Sequence, residues 1–549
     1  MKQFFTIILS LIFVNITTAQ NLTATLIDQS VVSDSGLFFD GTRYDEDTNP
    51  TGNYRFGNRI TPHGDCIDVV NGYVFVTWYK GGMDERSLML SRKNLTDPAA
   101  NWVTIEFPHK HIGWRGIPTI GDSHNTAAIG VSTIDGTIHL IYDLHAYSSN
   151  SYPNDFFNYS VSVKDAAFQP DAAFNLDLFK PKQNYLKAGE NYERLTYPAL
   201  RRAADGSLVV RYRTGGAGNG DILLATYDGN AWSNNWLYSD GTIPLPNRYS
   251  LYGSEKYIHD TFYSCFSVRF AQNENYSLNS GLYFAYTNAV LPTPSSQWFD
   301  ANGNSISLPI QNPAVIKIAE PSDDYGTATA PRISLGPAFT VTKNGAIHMI
   351  TRVDNINVHY YKLAEDAEFS SSQGGLIPNP QVRGGILSFN DRVFMVELVG
   401  RKPVIKSTLE GQNDWQIIYS AEAAPTRFKH FNSVIANDKL YVYLMEDTDG
   451  DACPLHLQVF SLSGGTPTST SEEILPAEVT VYPNPNKGIF DIKSKSRISS
   501  YAISSVQGKV LQSGKLNFNQ LDISDFPAGV YFLELSANNK NMVKKIVIE

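Results

Sequence analysis

The fold is indicated most clearly by one stretch of sequence, Asn71-Gly72-Tyr73-Val74-Phe75-Val76-Thr77-Trp78. This stretch joins a tight-turn dipeptide to a run of β-branched and aromatic residues. Similar runs recur along the chain, most of them after a turn such as Asp135-Gly136 or Asn344-Gly345. The runs begin at Tyr73, Ile138, Leu208, Leu282, Ile347, Val393 and Leu440. A repeated unit of turn and strand predicts a β-propeller, and seven copies predict seven blades.

The spacing of these runs predicts where the propeller carries its long loops. The last three runs start about 40 to 50 residues apart, which is the usual length of one blade, whereas the earlier runs start further apart. Composition agrees with an all-β chain, since aromatic residues make up 12% and charged residues only 18%. We therefore expect long loops in the first half, and loops on a rigid scaffold are where functional sites are built.

The overall charge limits the partners. The 549 residues carry a formal net charge of -10 at pH 7. No global positive field would attract a nucleic acid or an anionic lipid surface, so we expect neither as a partner. An anionic substrate would need a local group of basic side chains.

The beginning of the chain has the pattern of an exported protein. A lysine, an apolar run over residues 4–14 and small residues before Gln20 have the order of a secretory signal peptide, which predicts removal of residues 1–19. The apolar run is shorter than the roughly 20 residues that span a bilayer, and we expect no membrane span. Buried thiols, not a disulfide framework, are predicted for the three cysteines, Cys66, Cys265 and Cys453.

The composition changes after the predicted propeller at 20–462. Residues 463–476 are rich in Gly, Ser, Thr and Pro, which predicts a linker, and a small β-patterned module follows at 477–549. Its motifs include Val481-Tyr482-Pro483-Asn484-Pro485 and Pro527-Ala528-Gly529-Val530-Tyr531. The module resembles the C-terminal sorting domain of the type IX secretion system of Bacteroidetes. That resemblance implies a β-sandwich, the type IX machinery as a partner, and a secreted or surface-attached protein. The alternative is an accessory β-sandwich that binds carbohydrate.

Candidate chemical groups lie at the ends of predicted strands in the first half. The motifs are Gly121-Asp122-Ser123-His124-Asn125-Thr126, Tyr142-Asp143-Leu144-His145, Thr196-Tyr197-Pro198 and Tyr212-Arg213 before a glycine-rich loop. Each residue alone has an ordinary structural explanation, but together they predict one shared cleft. The glycine-rich loop lacks the Lys-Ser/Thr ending of a phosphate-binding loop, which argues against nucleotide binding.

These motifs resemble those of the β-propeller family that includes the propeller-fold ulvan lyases. The resemblance begins at Asp65 to Trp78, continues to Arg269 and Trp298, and covers most of residues 25–460. Members cleave ulvan, a sulfated polysaccharide of rhamnose 3-sulfate and uronic acid. The resemblance therefore implies a secreted lyase that leaves 4,5-unsaturated uronate ends. It implies the catalytic residues His124, His145, Tyr197 and Arg213.

Elimination next to a uronate gives each of these residues an expected role. Removing the C5 proton requires that the adjacent carboxylate be neutralised, and Arg213 with His145 can supply the hydrogen bonds and charge. Tyr197 and His124 are expected to be the proton-transfer pair, with the order of base and acid left open. Four further residues are predicted to bind the substrate: Asn125, Tyr147, Arg201 and Arg269.

Catalysis is expected to need no cofactor, but two motifs could hold a structural ion. His259 and Cys265 are six residues apart, a spacing that a zinc site can use. Asp447, Asp449 and Asp451 offer oxygen ligands of the kind that calcium prefers.

Two other functions compete with the lyase. The first is a sialidase-like glycoside hydrolase, although the nearest match to the sialidase box, from Thr226 to Trp232, has the wrong Asp-Gly spacing and no carboxylate pair accompanies the motifs. The second is a non-catalytic glycan-binding propeller, in which Trp78, Trp114 and Tyr147 would stack on sugars. Unsaturated ends, new reducing ends and binding without turnover distinguish the three functions.

Overall fold

The structure is a computed structural model. It describes residues 22–38, 65–82, 84–118, 122, 124–243, 248–271, 279–325, 337–354, 356–378, 385–462, 480–493, 500–505, 510–515, 520–537 and 540–549. The predicted signal peptide and linker lie outside the described residues, as do Gly121 and Ser123 of the first histidine motif. Backbone contacts divide the chain into two compact units between Gly464 and Gly465.

The described part of the first unit consists almost entirely of antiparallel strands, which confirms the all-β prediction. The first strand, β1, is Thr25–Leu37. Sheet 1 contains β2 (Ile67–Val70), β3 (Tyr73–Tyr79), β4 (Ser87–Asn94) and β5 (Val103–Lys110). Sheet 2 contains β6 (Ala127–Val131), β7 (Ile138–Tyr142) and β8 (Asn158–Val161). Sheet 3 contains β9 (Thr196–Arg202), β10 (Leu208–Gly216), β11 (Asn219–Tyr227) and β12 (Trp236–Ser239).

The second half of this unit continues the same pattern. Sheet 4 contains β13 (Tyr249–Ile258), β14 (Thr261–Phe270), β15 (Ser280–Thr287), β16 (Trp298–Asp300), β17 (Ser305–Ile306) and β18 (Lys317–Ala319). Sheet 5 contains β19 (Ala338–Val341), β20 (Ile347–Val353), β21 (Ile356–Lys362) and β22 (Ser370–Gln373). Sheet 6 contains β23 (Ile386–Phe389), β24 (Arg392–Val399), β25 (Lys402–Leu409) and β26 (Gln416–Ser420). Sheet 7 contains β27 (Phe428–Ala436), β28 (Lys439–Glu446) and β29 (Ala452–Ser461), with β1 paired to β29.

Helices are short in the described residues. The 3-10 helices are Ala166–Phe168, Asp171–Ala173, Leu176–Leu178 and Pro313–Ile316, and the α-helix α1 is Pro321–Tyr325. No helix among the described residues has the length and apolar character needed to cross a bilayer.

The first strands of sheets 1 to 7 contact one another in a closed circuit. In chain order β2 contacts β6, β6 contacts β9, β9 contacts β13, β13 contacts β19, β19 contacts β23, and β23 contacts β27. The circuit closes because β27 also contacts β2. Each first strand therefore has a neighbour from another sheet on both sides.

The stretch from Asn71 to Trp78 shows why these strands are apolar on both faces. Asn71 has a φ of 46° and Gly72 a φ of 80°, so the dipeptide forms the tight left-handed turn between β2 and β3. In β3, Val74 packs in an apolar cluster with residues of sheet 7 such as Leu457, whereas Phe75 packs in a cluster with residues of sheet 2 such as Ile129. Because each sheet is covered on both sides, its strands read as continuous apolar runs.

The second unit has its own core in the described residues. One sheet contains β30 (Thr480–Tyr482), β31 (Ile489–Lys493) and β34 (Gln520–Asp522), and the other contains β32 (Ser500–Ser505), β33 (Val510–Lys515), β35 (Gly529–Ala537) and β36 (Lys540–Ile548). Side chains from both sheets form one apolar cluster, among them Phe490, Ile503, Leu533 and Ile546. All three cysteines lie in the first unit and are buried free thiols, as predicted.

Candidate active site

Pairing of β6 with β7 brings the two histidine motifs to the same edge of sheet 2. The strands are antiparallel, and Ala127 at the start of β6 pairs with Tyr142 at the end of β7. The pairing continues outward, since the backbone N–H of Asp143 donates to the carbonyl of Thr126 at 3.0 Å. Residues before β6 therefore lie beside residues after β7.

Sheet 3 adds its residues at the same edge. His145 forms an isolated β-bridge with Thr196, which begins β9. Thr196 is in turn paired with Arg213 near the end of β10. The start of β9 and the end of β10 therefore lie next to the histidines, and the four predicted catalytic residues come together although the first and last are far apart in the chain.

Two imidazole rings at the centre of the site lie parallel and share one carboxylate. The ring centroids of His124 and His145 are 4.0 Å apart, with 8° between the ring planes. Nδ1 of His124 lies 2.8 Å from Oδ1 of Asp122, and Nδ1 of His145 contacts the other carboxylate oxygen. The side chain of Asp122 is 0% exposed, whereas those of His124 and His145 are 16% and 19% exposed. The carboxylate lies beneath the pair, so the ring edges that carry Nε2 face away from it.

Local sequence explains the position of the carboxylate. Oδ1 of Asp122 also accepts the backbone N–H of His124 at 2.9 Å, which is the hydrogen bond of an Asx turn. This turn holds the aspartate and the histidine two residues later on the same side of the chain.

A bulge at the start of β9 directs Tyr197 toward the histidines. Arg211 pairs with Ala199 and Arg213 with Thr196, so Tyr197 and Pro198 together oppose a single residue of β10. Tyr197 has a φ of 58°, in the left-handed region that a non-glycine residue rarely adopts. Such backbone conformations are held by their surroundings and often occur at functional sites.

Tyr197 lies between a histidine and a cation. Its ring centroid is 5.2 Å from that of His124, and the guanidinium carbon of Arg213 is 5.6 Å from the Tyr197 ring. Arg213 is 6% exposed, and its Nη2 donates to the carbonyl of Gly216. The tyrosine ring thus lies beside an imidazole and a buried guanidinium.

A second arginine extends the positive charge away from the histidines. The guanidinium of Arg269 is 4.1 Å from the ring of Tyr252, and that of Arg213 is 4.9 Å from the same ring. Nη1 of Arg269 donates to the Tyr252 hydroxyl at 3.1 Å, and Nε donates to Asn279 at 3.0 Å. The predicted substrate-binding residue Arg269 is therefore joined to Arg213 through one aromatic ring.

Charges and burial set the protonation of the central group. Burial, with a further contribution from His145, lowers the pKa of His124 to about 4. Burial alone would raise the pKa of the Asp122 carboxyl, but the neighbouring histidines hold that pKa well below its ordinary value. At neutral pH, Asp122 is therefore a carboxylate and His124 a neutral imidazole.

Asn125 and Tyr147, both predicted to bind substrate, lie behind this group. Nδ2 of Asn125 donates to the Tyr147 hydroxyl at 2.8 Å and to the carbonyl of Gly113 at 3.2 Å. Asn125 is 0% and Tyr147 is 3% exposed. Their hydrogen bonds fix the Gly113 loop against the site, and substrate binding by either residue stays a prediction.

The predicted substrate-binding residue Arg201 lies apart from the cluster. It follows Tyr197 by four residues along β9, which is about 13 Å of extended strand. Its guanidinium contacts the carboxylate of Asp65 and the carbonyl of Glu255, and burial lowers its pKa to about 10. The structure gives Arg201 an interstrand ion pair.

The two predicted structural-ion motifs stay predictions, and the structure places some of their residues in other contacts. His259 lies in the turn before β14, whereas Cys265 lies inside that strand with its sulfur 3.6 Å from the sulfur of Met349. The two residues of the predicted zinc site are not brought together. In the predicted calcium site, the carboxylate of Asp447 contacts Arg401 and lies near Arg427 and Lys429, so cations already surround it.

The central group itself has the spacing of a metal site. In the part of the chain that the structure describes, one ligand atom from each of Asp122, His124 and His145 lies within 4.8 Å of the others. These are donors that zinc accepts. The same atoms are already joined by hydrogen bonds, so a bound metal would have to displace the Nδ1 protons.

Sequence reasoning missed two residues of this site. Asp122 stands in the histidine motif, and the signal that could have revealed it is a carboxylate two residues before a histidine, the spacing of an Asx turn. Tyr252 occurs in β13 without a motif around it, and its position between two arginines depends on the packing of sheet 4 against sheet 3.

Comparisons with known proteins give family matches in both units. A model of the BNR repeat-containing family matches residues 73–375, and a model of the secretion system C-terminal sorting domain matches residues 480–549. The sorting-domain match supports the predicted export of the chain.

Curated relatives and a solved structure give the same result. The ulvan lyase long isoform of Alteromonas sp is 33% identical over 545 residues, covering 91% of this chain and 53% of the relative, so the chain spans about half the length of that protein. The ulvan lyase short isoform of Alteromonas sp. (strain LOR) is 33% identical over 485 residues, covering 80% of this chain and 90% of the relative. The crystal structure of the polysaccharide lyase Uly1 is 29% identical with a TM-score of 0.72, covering 80% of this chain and all of that one. These matches confirm the predicted resemblance, and the chain belongs to the BNR repeat-containing family that includes the ulvan lyases.

Proposed function

We propose that this protein is an exported polysaccharide lyase that cleaves ulvan by β-elimination and leaves 4,5-unsaturated uronate ends. The observation that carries the proposal is the meeting of His124, His145, Tyr197 and Arg213 at one edge of sheets 2 and 3. Membership of the family supports it, since the curated relatives are named ulvan lyases.

The fold that would carry this activity is a seven-bladed propeller followed by a small β-sandwich. Seven sheets in the described residues, and the closed circuit of contacts among their first strands, support the number of blades. The two sheets around one core in residues 480–549 support the sandwich. We expect the sandwich to be recognised by the type IX secretion machinery, since the sorting-domain model matches it.

The first requirement of the reaction is to neutralise the uronate carboxylate next to C5. Loss of the C5 proton would otherwise place a second negative charge beside the first. Arg213 offers a planar fork of donors beside Tyr197, and His145 stacks on His124. Arg213 and His145 would hold the carboxylate and stabilise the charge that develops on it.

Proton transfer would then use the other two residues. Because the pKa of His124 is lowered to about 4, its ring is neutral at pH 7 and can accept the C5 proton at Nε2. The electron pair of the C5–H bond forms the C4–C5 double bond, and the C4–O4 bond breaks. Tyr197 would donate its hydroxyl proton to the departing O4. His124 and Tyr197, with rings 5.2 Å apart, could exchange a proton to restore the starting state.

Sulfate groups of the substrate need further cations. Arg269 is the best candidate among the predicted binding residues, because it is joined to Arg213 through Tyr252. This arrangement would let a sugar next to the uronate lie along Tyr252. It predicts that desulfated ulvan binds more weakly than ulvan.

The test is the ultraviolet absorbance of the unsaturated uronate, measured with the full chain on ulvan and on alginate, chondroitin sulfate and heparin. We expect the absorbance to increase on ulvan. The rate of this increase should fall about 100-fold or more in Tyr197→Phe and in His124→Ala. The matched control is Tyr185→Phe, which removes the hydroxyl of an exposed tyrosine outside the site.

Two outcomes would contradict the proposal. New reducing ends without an absorbance increase would identify a glycoside hydrolase. Binding of ulvan without either product would identify a glycan-binding protein.

A further inference from the structure

We propose that Asp122 is a positioning residue that holds His124 and His145 as one unit, with both Nδ1 protons pointing to its carboxylate and both Nε2 edges turned away from it. This inference rests on the proposed function for its catalytic consequence, but the hydrogen-bonded unit can be tested without any substrate. Asp122 is fully buried and would not itself contact a polysaccharide.

The hydrogen-bond pattern determines the tautomers. An ionised carboxylate can only accept hydrogen bonds, so each Nδ1 that contacts it must carry a proton. A neutral ring with its proton on Nδ1 has its lone pair on Nε2. Without the carboxylate, His124 could take the other tautomer and present an N–H at Nε2, where the proposed base needs its lone pair.

The shared carboxylate also limits the charge of the pair. Parallel rings with centroids 4.0 Å apart would repel one another if both were protonated. One carboxylate compensates one positive charge. The geometry therefore disfavours a charge on both rings at once.

Other ionisable groups around the pair act in the same direction. Arg213 further disfavours a charge on His124. The ring of Tyr197 lies 5.2 Å from that of His124, and the ring of Tyr147 lies 6.3 Å from that of His145. Asp122 is thus the group that offsets positive charge on the two rings.

The experiment compares the wild-type chain with Asp122→Asn, which keeps the size of the side chain but replaces one acceptor oxygen by a donor. We expect kcat on ulvan to fall about 100- to 10,000-fold with KM within about threefold, and the acid limb of the pH profile to move. In spectra of 15N-histidine-labelled protein, the Nδ1 protons of His124 and His145 should both show strong hydrogen bonds in the wild type, and at least one of these two signals should be lost in the variant. Tryptophan fluorescence should report the same fold for both.

The matched control is Asp143→Asn. Asp143 is equally buried at the same sheet edge, but its carboxylate contacts Nε2 of His109 at 2.8 Å and not the central rings. This variant should keep both Nδ1 proton signals of His124 and His145.

Three results would overturn the inference. The first is an Asp122→Asn variant with kcat within tenfold of the wild type. The second is a wild-type spectrum in which either ring carries its proton on Nε2 alone, which decides the question even if the variant fails to fold or the wild type has no lyase activity. The third is one tightly bound metal ion per chain that Asp122→Asn loses, since the three residues would then be metal ligands.

Discussion

At the scale of single residues, the site depends on side chains whose positions are fixed by their neighbours. Tyr197 adopts a left-handed backbone conformation that costs of order 1–3 kcal/mol for a non-glycine residue. The bulge opposite Tyr212 and the restricted φ of Pro198 maintain it. This local cost places a hydroxyl between His124 and Arg213.

Replacing Arg213 by lysine tests whether the site needs a planar cation or only a positive charge. Arg213 contacts the faces of Tyr197 and Tyr252 and donates to the Gly216 carbonyl, contacts that an ammonium group cannot reproduce together. We expect Arg213→Lys to lower kcat/KM on ulvan by about 10- to 100-fold. Steady-state kinetics would measure this.

The control for that variant is Arg401→Lys, which changes an exposed arginine paired with Asp447. It should leave kcat/KM unchanged. Activity of Arg213→Lys within twofold of the wild type would show that the fork of donors is not needed.

At the scale of strands and sheets, paired hairpins create buried polar networks as well as the active site. In sheet 5, Nε2 of His348 accepts the backbone N–H of Gly411 at 3.0 Å, so its proton is on Nδ1 and is donated to Nε2 of His359 at 2.9 Å. His359 in turn donates from Nδ1 to Asn413 at 2.7 Å. Both rings are 0% exposed, and the indole N–H of Trp415 also lies 3.3 Å from Nδ1 of His359.

This network should make the first unit sensitive to acid. Burial lowers the pKa of His359 to about 4 and that of His348 well below its ordinary value. Because the unfolded chain binds these protons first, at a pKa of about 6.5, the stability is complete above that pH and is lost as the pH falls toward 4. Each histidine should contribute a slope of about 1.4 kcal/mol per pH unit in that range.

Urea unfolding between pH 7 and pH 5 would measure the slope. Fluorescence reports the first unit alone, because all 7 tryptophans precede residue 465. His359→Gln should be less stable at pH 7 but lose less stability on acidification than the wild type. Identical slopes would mean that His359 is already charged in the folded protein.

At the scale of the whole first unit, its first and last described strands are joined in one sheet. The strand β1 pairs with β29 from Thr25 opposite Ser461 to Leu37 opposite Ala452. Without β1, the last strand of sheet 7 would be an unpaired edge. The circuit of sheets therefore closes at sheet 7, the sheet in which the first described strand pairs with the last strand of the unit.

Neighbouring valines in β1 allow this closure to be tested. Val32 is 7% exposed and packs in the cluster between sheets 7 and 1, whereas Val31 is 48% exposed. We expect Val32→Asp to lower the free energy of unfolding by about 3 kcal/mol or more, because it buries an unpaired charge, and Val31→Asp to change it by about 0.5 kcal/mol or less. Thermal melting followed by tryptophan fluorescence would compare them, and equal melting temperatures would show that β1 is not needed for stability.

Much of the fold was predictable because its signals are local. A turn such as Asn71-Gly72 followed by an apolar run specifies a hairpin through backbone conformation and burial, and both operate within a few residues. The family resemblance added the grouping of His124, His145, Tyr197 and Arg213. The zinc pair of His259 and Cys265 stays a prediction, and its sequence spacing did not show that one residue lies in a turn and the other inside β14.

The all-β class, the family and the sorting module could be predicted from the sequence, as could the residue types at the strand ends. Strand periodicity, turn chemistry and motifs are properties of neighbouring residues, so they are visible in the sequence. Three contacts were visible only in the folded structure. Asp122 lies beneath both histidines, Tyr252 lies between two arginines, and Arg201 pairs with Asp65 away from the cluster. Those contacts join residues from different sheets or from opposite ends of a hairpin. Their distances depend on how the sheets pack, and local sequence patterns carry no information about that packing.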